Sequence, residues 1–184
     1  MKKLMTGLAG LTLATALAGT ARATNTPANA TITVTPIVNV SLSLPTSTYA
    51  FGSVPVAVST QSGTGLTLTN NGQVGVTVTK TLGATGSWST ISATQSTTTA
   101  TGNDAFVLYV ATAAATPTLA SFSQATEFIT AAGNQLTGVS GTAPVLSPTG
   151  GSQSVTLWFR LDMPTTVSSG AGQTINLTFT GVAQ

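Results

Sequence analysis

The stretch Thr31-Ile-Thr-Val-Thr-Pro-Ile-Val-Asn-Val-Ser-Leu-Ser-Leu44 decides the fold, because Ile32, Val34, Val38, Val40, Leu42 and Leu44 share one parity and Pro36 keeps their register. A period of two is how a half-buried β-strand reads, one row of side chains on the core and the other in water. Fully extended, a run of this length would reach about 45 Å, well beyond an ordinary strand. Pro36 therefore either divides it into two strands or marks one long edge strand, since proline has no amide to give to a central ladder.

Working outward, the same alternation recurs. Gly65-Leu-Thr-Leu-Thr-Asn70 precedes Asn71-Gly72, a strong signal for a tight hairpin, and Gln73–Lys80 then reads as the return strand with Val74, Val76 and Val78 on one face. Ala105–Ala111 (AFVLYVA) is apolar on both parities, as in a central strand covered on both sides or one flanking an interface. Val155–Leu161 places Val155, Leu157, Phe159 and Leu161 inward and leaves Trp158 and Arg160 on the other face. Ile175, Leu177 and Phe179 line the inner face of the last strand, and Trp88–Ile91 and Tyr49–Val58 are shorter candidates. Gly-, Ser- and Pro-rich turns separate these runs, and only Ser121–Ala132 has apolar residues (Phe122, Ala125, Phe128, Ile129) near helical spacing. The expected fold is all-β: a single antiparallel β-sandwich, immunoglobulin-like or Greek-key, with at most one short helix.

The beginning of the chain reads as a targeting segment. Met1-Lys2-Lys3 is a positive start, Leu4–Leu17 is apolar apart from Thr and Gly, and Ala21-Arg22-Ala23 matches a small-x-small cleavage site. The expected organisation is a secretory signal peptide over 1–23, then one β-domain over 24–184 that opens with a polar lead at 24–30. No later stretch approaches the ~18 apolar residues of a membrane-spanning helix. The product is expected to be secreted, extracellular or at the cell surface, or periplasmic.

The strand pattern and leader together resemble secreted bacterial immunoglobulin-like β-sandwich proteins of cell surfaces and fimbriae. The residues that carry the resemblance are Leu66-Thr-Leu-Thr-Asn-Asn-Gly72 before a valine-alternating strand, Leu157-Trp-Phe-Arg-Leu161 and Ile175-Asn-Leu-Thr-Phe179. The likeness is at the level of class. The chain departs from chaperone–usher pilins, which commonly carry a disulfide near their start.

Composition narrows the chemistry sharply. Charged residues are 4% of the chain, against about a quarter in ordinary proteins, and there is no cysteine or histidine. That removes disulfides, thiolate nucleophiles, imidazole bases and Cys/His metal sites. After residue 23 only Lys80 and Arg160 stand against Asp104, Glu127 and Asp162, two positive charges against three negative and a net of −1. Nucleic-acid binding, which needs several Lys or Arg on phosphates, is excluded. Asp104 in Gly102-Asn-Asp and Asp162 before Met163-Pro164 read as structural turn residues, and Glu127 as a solvated helix or loop residue. No Gly-x-Ser-x-Gly or Ser-x-x-Lys pattern accompanies Lys80. Neither catalysis nor a cofactor is expected, and the dispersed acids point to no metal.

Two functions remain. A low charge removes the repulsion that keeps secreted monomers apart. The alternating run with Ile32, Val34, Val38, Val40, Leu42 and Leu44 suits addition as a strand to a neighbour's open edge, which propagates into a homo-oligomer or homopolymer of fimbrial, sheath or surface-layer type. The opposing reading pairs that strand within its own sandwich. The alternative function is an adhesive module that binds a cell-surface glycan through Trp158, Tyr109 and Trp88, aromatic tips beside Asn, Gln and Thr. Against it, Trp158 packs equally well under a loop or a second layer.

Overall fold

The structure, a computed structural model, describes residues 33–91, 102–122 and 127–184. The chain divides into two units, 1–35 and 36–184. The expected leader, the polar lead at 24–30 and Ile32 lie outside the described residues, and every strand named below belongs to the second unit.

That unit is all-β. Its strands are β1 (Leu42–Ser43), β2 (Ser59–Gln61), β3 (Leu66–Asn70), β4 (Val76–Leu82), β5 (Ser89–Thr90), β6 (Ala105–Thr112), β7 (Asn134–Gln135), β8 (Ser154–Asp162) and β9 (Leu177–Ala183), with one 3-10 turn at Leu119–Ser121. One sheet runs β1-β3-β8-β6-β5, with β2 paired to β8 in line with β3, and a second runs β7-β4-β9. Pairing is antiparallel except between β5 and β6, which run parallel, so the first sheet is mixed where uniform antiparallel pairing was expected.

The two sheets share one core and curl about it as a half-barrel. Leu66 and Leu68 of β3, Phe106, Leu108 and Val110 of β6, and Leu157, Phe159 and Leu161 of β8 meet Val76, Val78 and Leu82 of β4, with Leu177 and Phe179 of β9 half-buried against them. These are the alternate positions that the period-two reading selects. Burial of each such side chain is worth about 1.5–3 kcal/mol. Between β2 and β3 the ladder on β8 is carried by a serine. Ser62 donates its amide to Phe159 O at 2.8 Å and accepts the Phe159 amide on Oγ at 3.0 Å, so both main-chain groups of Phe159 stay bonded where the pairing passes from β2 to β3.

Three local expectations are corrected. The Asn71-Gly72 hairpin does not form, since β3 and β4 belong to different sheets. A type I′ turn needs positive φ at both central residues, and neither Asn71 nor Gly72 has it. Asn70 instead makes the arch: its Oδ1 accepts the Gly72 amide at 2.8 Å, and its Nδ2 donates to Val74 O at 2.8 Å and Leu146 O at 2.9 Å. Gly72 is required by close approach, because a Cβ there would sit 2.5 Å from Asn39 O. Secondly, the helix expected over Ser121–Ala132 is absent from its described part. Residues 127–129 run extended along β6, with Val110 N donating to Glu127 O at 2.9 Å and Ile129 N to Leu108 O at 3.0 Å. The open edge of β6 must be hydrogen-bonded, and that need outweighs a marginal helical spacing. Thirdly, Tyr49–Val58 forms no strand; Tyr49, Phe51 and Val54 pack on the core from an irregular segment.

The segment 127–139 then laces the sheets together on one side. After bonding β6 it crosses to β4, where Leu136 N donates to Val78 O at 2.7 Å, and returns to β6 through Thr112 N to Thr137 O at 3.0 Å and Val139 N to Thr112 O at 3.1 Å. Asn70→Ala, which strips three hydrogen bonds from the arch on the other side, is expected to cost about 1–3 kcal/mol in a denaturant melt with an unchanged m-value.

Candidate functional site

The face of β6 and β8 that points away from the main core holds the aromatics read as a glycan surface. Tyr109 and Trp158 do share that face, and both are covered: Tyr109 is 1% exposed and Trp158 7%. Ile91, Val107, Ala111 and Phe122 complete this second cluster. The Trp158 indole donates to Ala113 O at 3.0 Å, Phe122 and Phe128 meet Tyr109 edge-on, and the Arg160 guanidinium lies 5.0 Å from the Tyr109 ring centre. Trp88 packs against Phe106 on the main core. Tyr109 and Trp158 thus present no free face to a sugar, while Trp88 is half-buried and stands apart from them on the other side of the sheet. A shallow open groove of about 590 Å³ lies between residues 45–50 and 64–67, but its one ring, Tyr49, stacks on Phe159 and accepts the Gly63 amide at 2.9 Å.

Asp104 lies in a turn as the sequence predicted, whereas Asp162, expected in a turn, ends strand β8, and Glu127, expected in solvent, is buried. Asp104 adopts φ 55° and accepts the Ser168 amide at 2.8 Å, and its contacts with Ser168 hold its carboxyl below the usual range. Asp162 is fully buried and receives Arg160 in a two-bond clasp, Nε to Oδ1 at 2.8 Å and Nη2 to Oδ2 at 3.0 Å. Among the described residues no three acidic side chains come together as a metal site would need.

The expected assembly strand is split. Ile32 lies outside the described residues, and Val34 belongs to the first unit. Asn39–Ser43 pairs with the protein's own Thr69–Gln73: Leu42 opposes Asn70, Ser43 opposes Thr69, and the Asn71 and Gln73 amides donate to Ser41 O and Asn39 O, both at 2.8 Å. Leu42 and Leu44 are half-buried on the core, and Val40 reaches over Gly181 of β9. Ahead of them Ile37 is 97% exposed and Val38 is 44% exposed.

Strand β9 is the edge of its sheet. Gly83 N donates to Asn176 O at 2.8 Å and Gln184 N to Gly75 O at 2.9 Å, which fixes the even-numbered residues of β9 as those bonded to β4. Leu177, Phe179, Gly181 and Ala183 thus turn their amides and carbonyls away from β4, where no further strand is paired among the described residues. Leu177, Phe179 and Ala183 point their side chains to the core side, and Leu177 and Phe179 remain only half-buried.

One cluster escaped the sequence reading. Lys80 and Glu127 are both 0% exposed. Lys80 lies on β4 directly opposite Asn134 of β7, and its Nζ donates to Gln135 O at 3.3 Å. Burial lowers its pKa from 10.5 to about 8, against the opposite pull of the Glu127 charge. Asn134 Nδ2 donates to Phe128 O at 2.6 Å, while its Oδ1 is buried with no hydrogen-bond partner among the described residues. Lys80 has the parity of Val76, Val78 and Leu82, so a lysine at a core position was there to be seen. Glu127 was hidden by the helical reading of its segment.

No protein-family model, curated protein or solved structure matches the chain. Glu127→Ala, which leaves the buried lysine without its counter-charge, is expected to lower unfolding free energy by about 3–5 kcal/mol in urea melts at neutral pH.

Proposed function

We propose that the protein is a secreted structural subunit that self-assembles at the cell surface by strand addition, without catalytic activity. In this reading the two sheets are a Greek-key-like sandwich closed on one side and open on the other. The observation that carries it is the outer edge of β9, unpaired among the described residues, with Leu177 and Phe179 half-buried beneath it. An exposed edge of this kind templates pairing with another chain unless charge, proline or a covering loop blunts it. Here Leu177–Ala183 (LTFTGVA) contains no charge and no proline.

The strand that adds is the front of the alternating run, Thr31–Val38 of a second copy. Its rear, from Asn39 onward, is occupied within its own fold and leaves the original donor set reduced to Ile32, Val34 and Val38. Main-chain bonds to β9 supply affinity, and the apolar parity fills the space over Leu177 and Phe179. Because donor and acceptor are different surfaces, each added copy presents a fresh edge and the assembly grows as a fibre. The covered faces of Tyr109 and Trp158 weigh against the glycan module, which keeps only the half-buried Trp88 of the residues proposed for it.

The full chain is expected to form filaments under electron microscopy, with light scattering that rises with concentration. Ile32→Asp/Val34→Asp, which puts charge on the donor, and Ala183→Pro, which removes an outward amide from the acceptor, should each reduce assembly at least tenfold while circular dichroism is unchanged. A monomer at all concentrations, or Asp variants that assemble like the parent, would discard strand addition.

A further inference from the structure

The only lysine beyond residue 3 sits inside the core, and neither assembly nor the fold's hydrophobic packing has a use for an ammonium there. Directly opposite residues of an antiparallel pair share a face, with Cβ atoms about 4.5–5.5 Å apart. Lys80 and Asn134 are such a pair. The Asn134 amide nitrogen is fixed on Phe128 O, one residue from Glu127, and its carbonyl oxygen is buried with no donor upon it among the described residues. Glu127 acts electrostatically on Lys80 and is itself fully buried. An amine, a carboxamide and a carboxyl group are thereby gathered in one water-poor site, which are the reactants for an acyl transfer within the chain together with a group to move its proton.

We propose that Lys80 and Asn134 become joined by an isopeptide bond that the folded chain forms on itself, with Glu127 as the proton carrier. The neutral Lys80 amine attacks Cγ of Asn134, and the carbonyl electron pair moves onto Oδ1. Glu127 takes the proton from Nζ and delivers it to Nδ2. As the carbonyl re-forms, the Cγ–Nδ2 bond breaks and one ammonia leaves. An amine and a primary amide become one secondary amide plus ammonia, with no oxidant, metal or second substrate. Burial favours the step because it lowers the lysine pKa to about 8, so the nucleophilic form is within reach near neutral pH. The product ties β4 to β7 across residues 80 and 134, a covalent closure in a chain with no cysteine to form one.

The decisive measurement is the intact mass of the purified full chain, read against the mass its sequence requires from its determined N-terminus. The wild type is expected to be lighter by one ammonia, and fragmentation should yield a branched peptide linking Lys80 to Asn134. Lys80→Arg, Asn134→Ala and Glu127→Gln should each have full sequence mass. Asn134→Asp should restore the link with loss of one water in place of ammonia. In Asn134→Ala the amine stays unacylated, and the unfolded chain binds more protons than the folded one above about pH 8. Its melting temperature should therefore gain, relative to wild type, as pH rises from about 8 toward 10.5, a gain that the acylated wild type lacks. A folded wild type at full sequence mass overturns the proposal even if the variants fail to fold. So does an ammonia loss located at Asn71-Gly72, where it would be a succinimide.

Discussion

Strand β6 must be covered on both faces, and the rest of the architecture depends on that demand. Phe106 through Ala111 are all buried. One parity enters the core shared with β4 and β9, and the other needs a second layer of its own. That layer is made from Trp158 and Arg160 on β8 and from Phe122 and Phe128 in the connection after β6. Tyr109 and Trp158, two of the aromatics that looked available for a ligand, are used up in meeting this requirement. The same connection supplies hydrogen bonds to the free edge of β6, which is why residues 127–129 lie extended. Apolar burial and backbone satisfaction here select one path for the chain.

That path makes the two flanks of the fold unequal. On one flank the segment 127–139 alternates between β6 and β4 and ties the sheets together through the backbone. On the other, β1 pairs with β3 while Val40 and Leu42 only lean over Gly181 of β9. A side-chain contact excludes some water but leaves the amides and carbonyls of β9 facing outward. Open edges are usually blunted by Lys, Pro or a bulge, and a chain this poor in charge has few such devices to spend.

The period-two signal made much of this legible. The inward rows of β3, β4, β6 and β8 were readable because each strand has a buried side, and a one-residue slip would turn every apolar group outward. What failed was pairing. Asn71-Gly72 has the composition of a hairpin, but the Asn70 side chain and the close approach of Asn39 turn it into an arch between sheets. Local sequence records which residues can turn and not which sheet the next strand will join. Phe128 and Ile129 fit helix and strand alike, and the open edge of β6, a feature far off in sequence, decided between them. Exposure was legible least of all: parity correctly separated Trp158 from the core row, but whether an outer row meets water depends on loops whose course has no periodicity.

Lys80 is where local and global consistency part. The parity of β4 demands an apolar residue, and an isolated ammonium in that position costs several kcal/mol even after relaxation. Glu127 offsets this at the expense of burying a second charge, and a pair of apolar residues of similar volume would ordinarily be as stable or more so. Packing therefore gives no reason for a lysine here, whereas chemistry does. Acylation by Asn134 would extinguish the lysine's charge and turn a costly residue of the core into a link between its strands. The link would also fall where the fold needs it, because β7 pairs with β4 through only Asn134 and Gln135 and belongs to the segment that closes the sheets on that side. A subunit that grows by strand addition would transmit tension through β4, the neighbour of β9, and a covalent tie between β4 and β7 would keep that tension from peeling the short strand away.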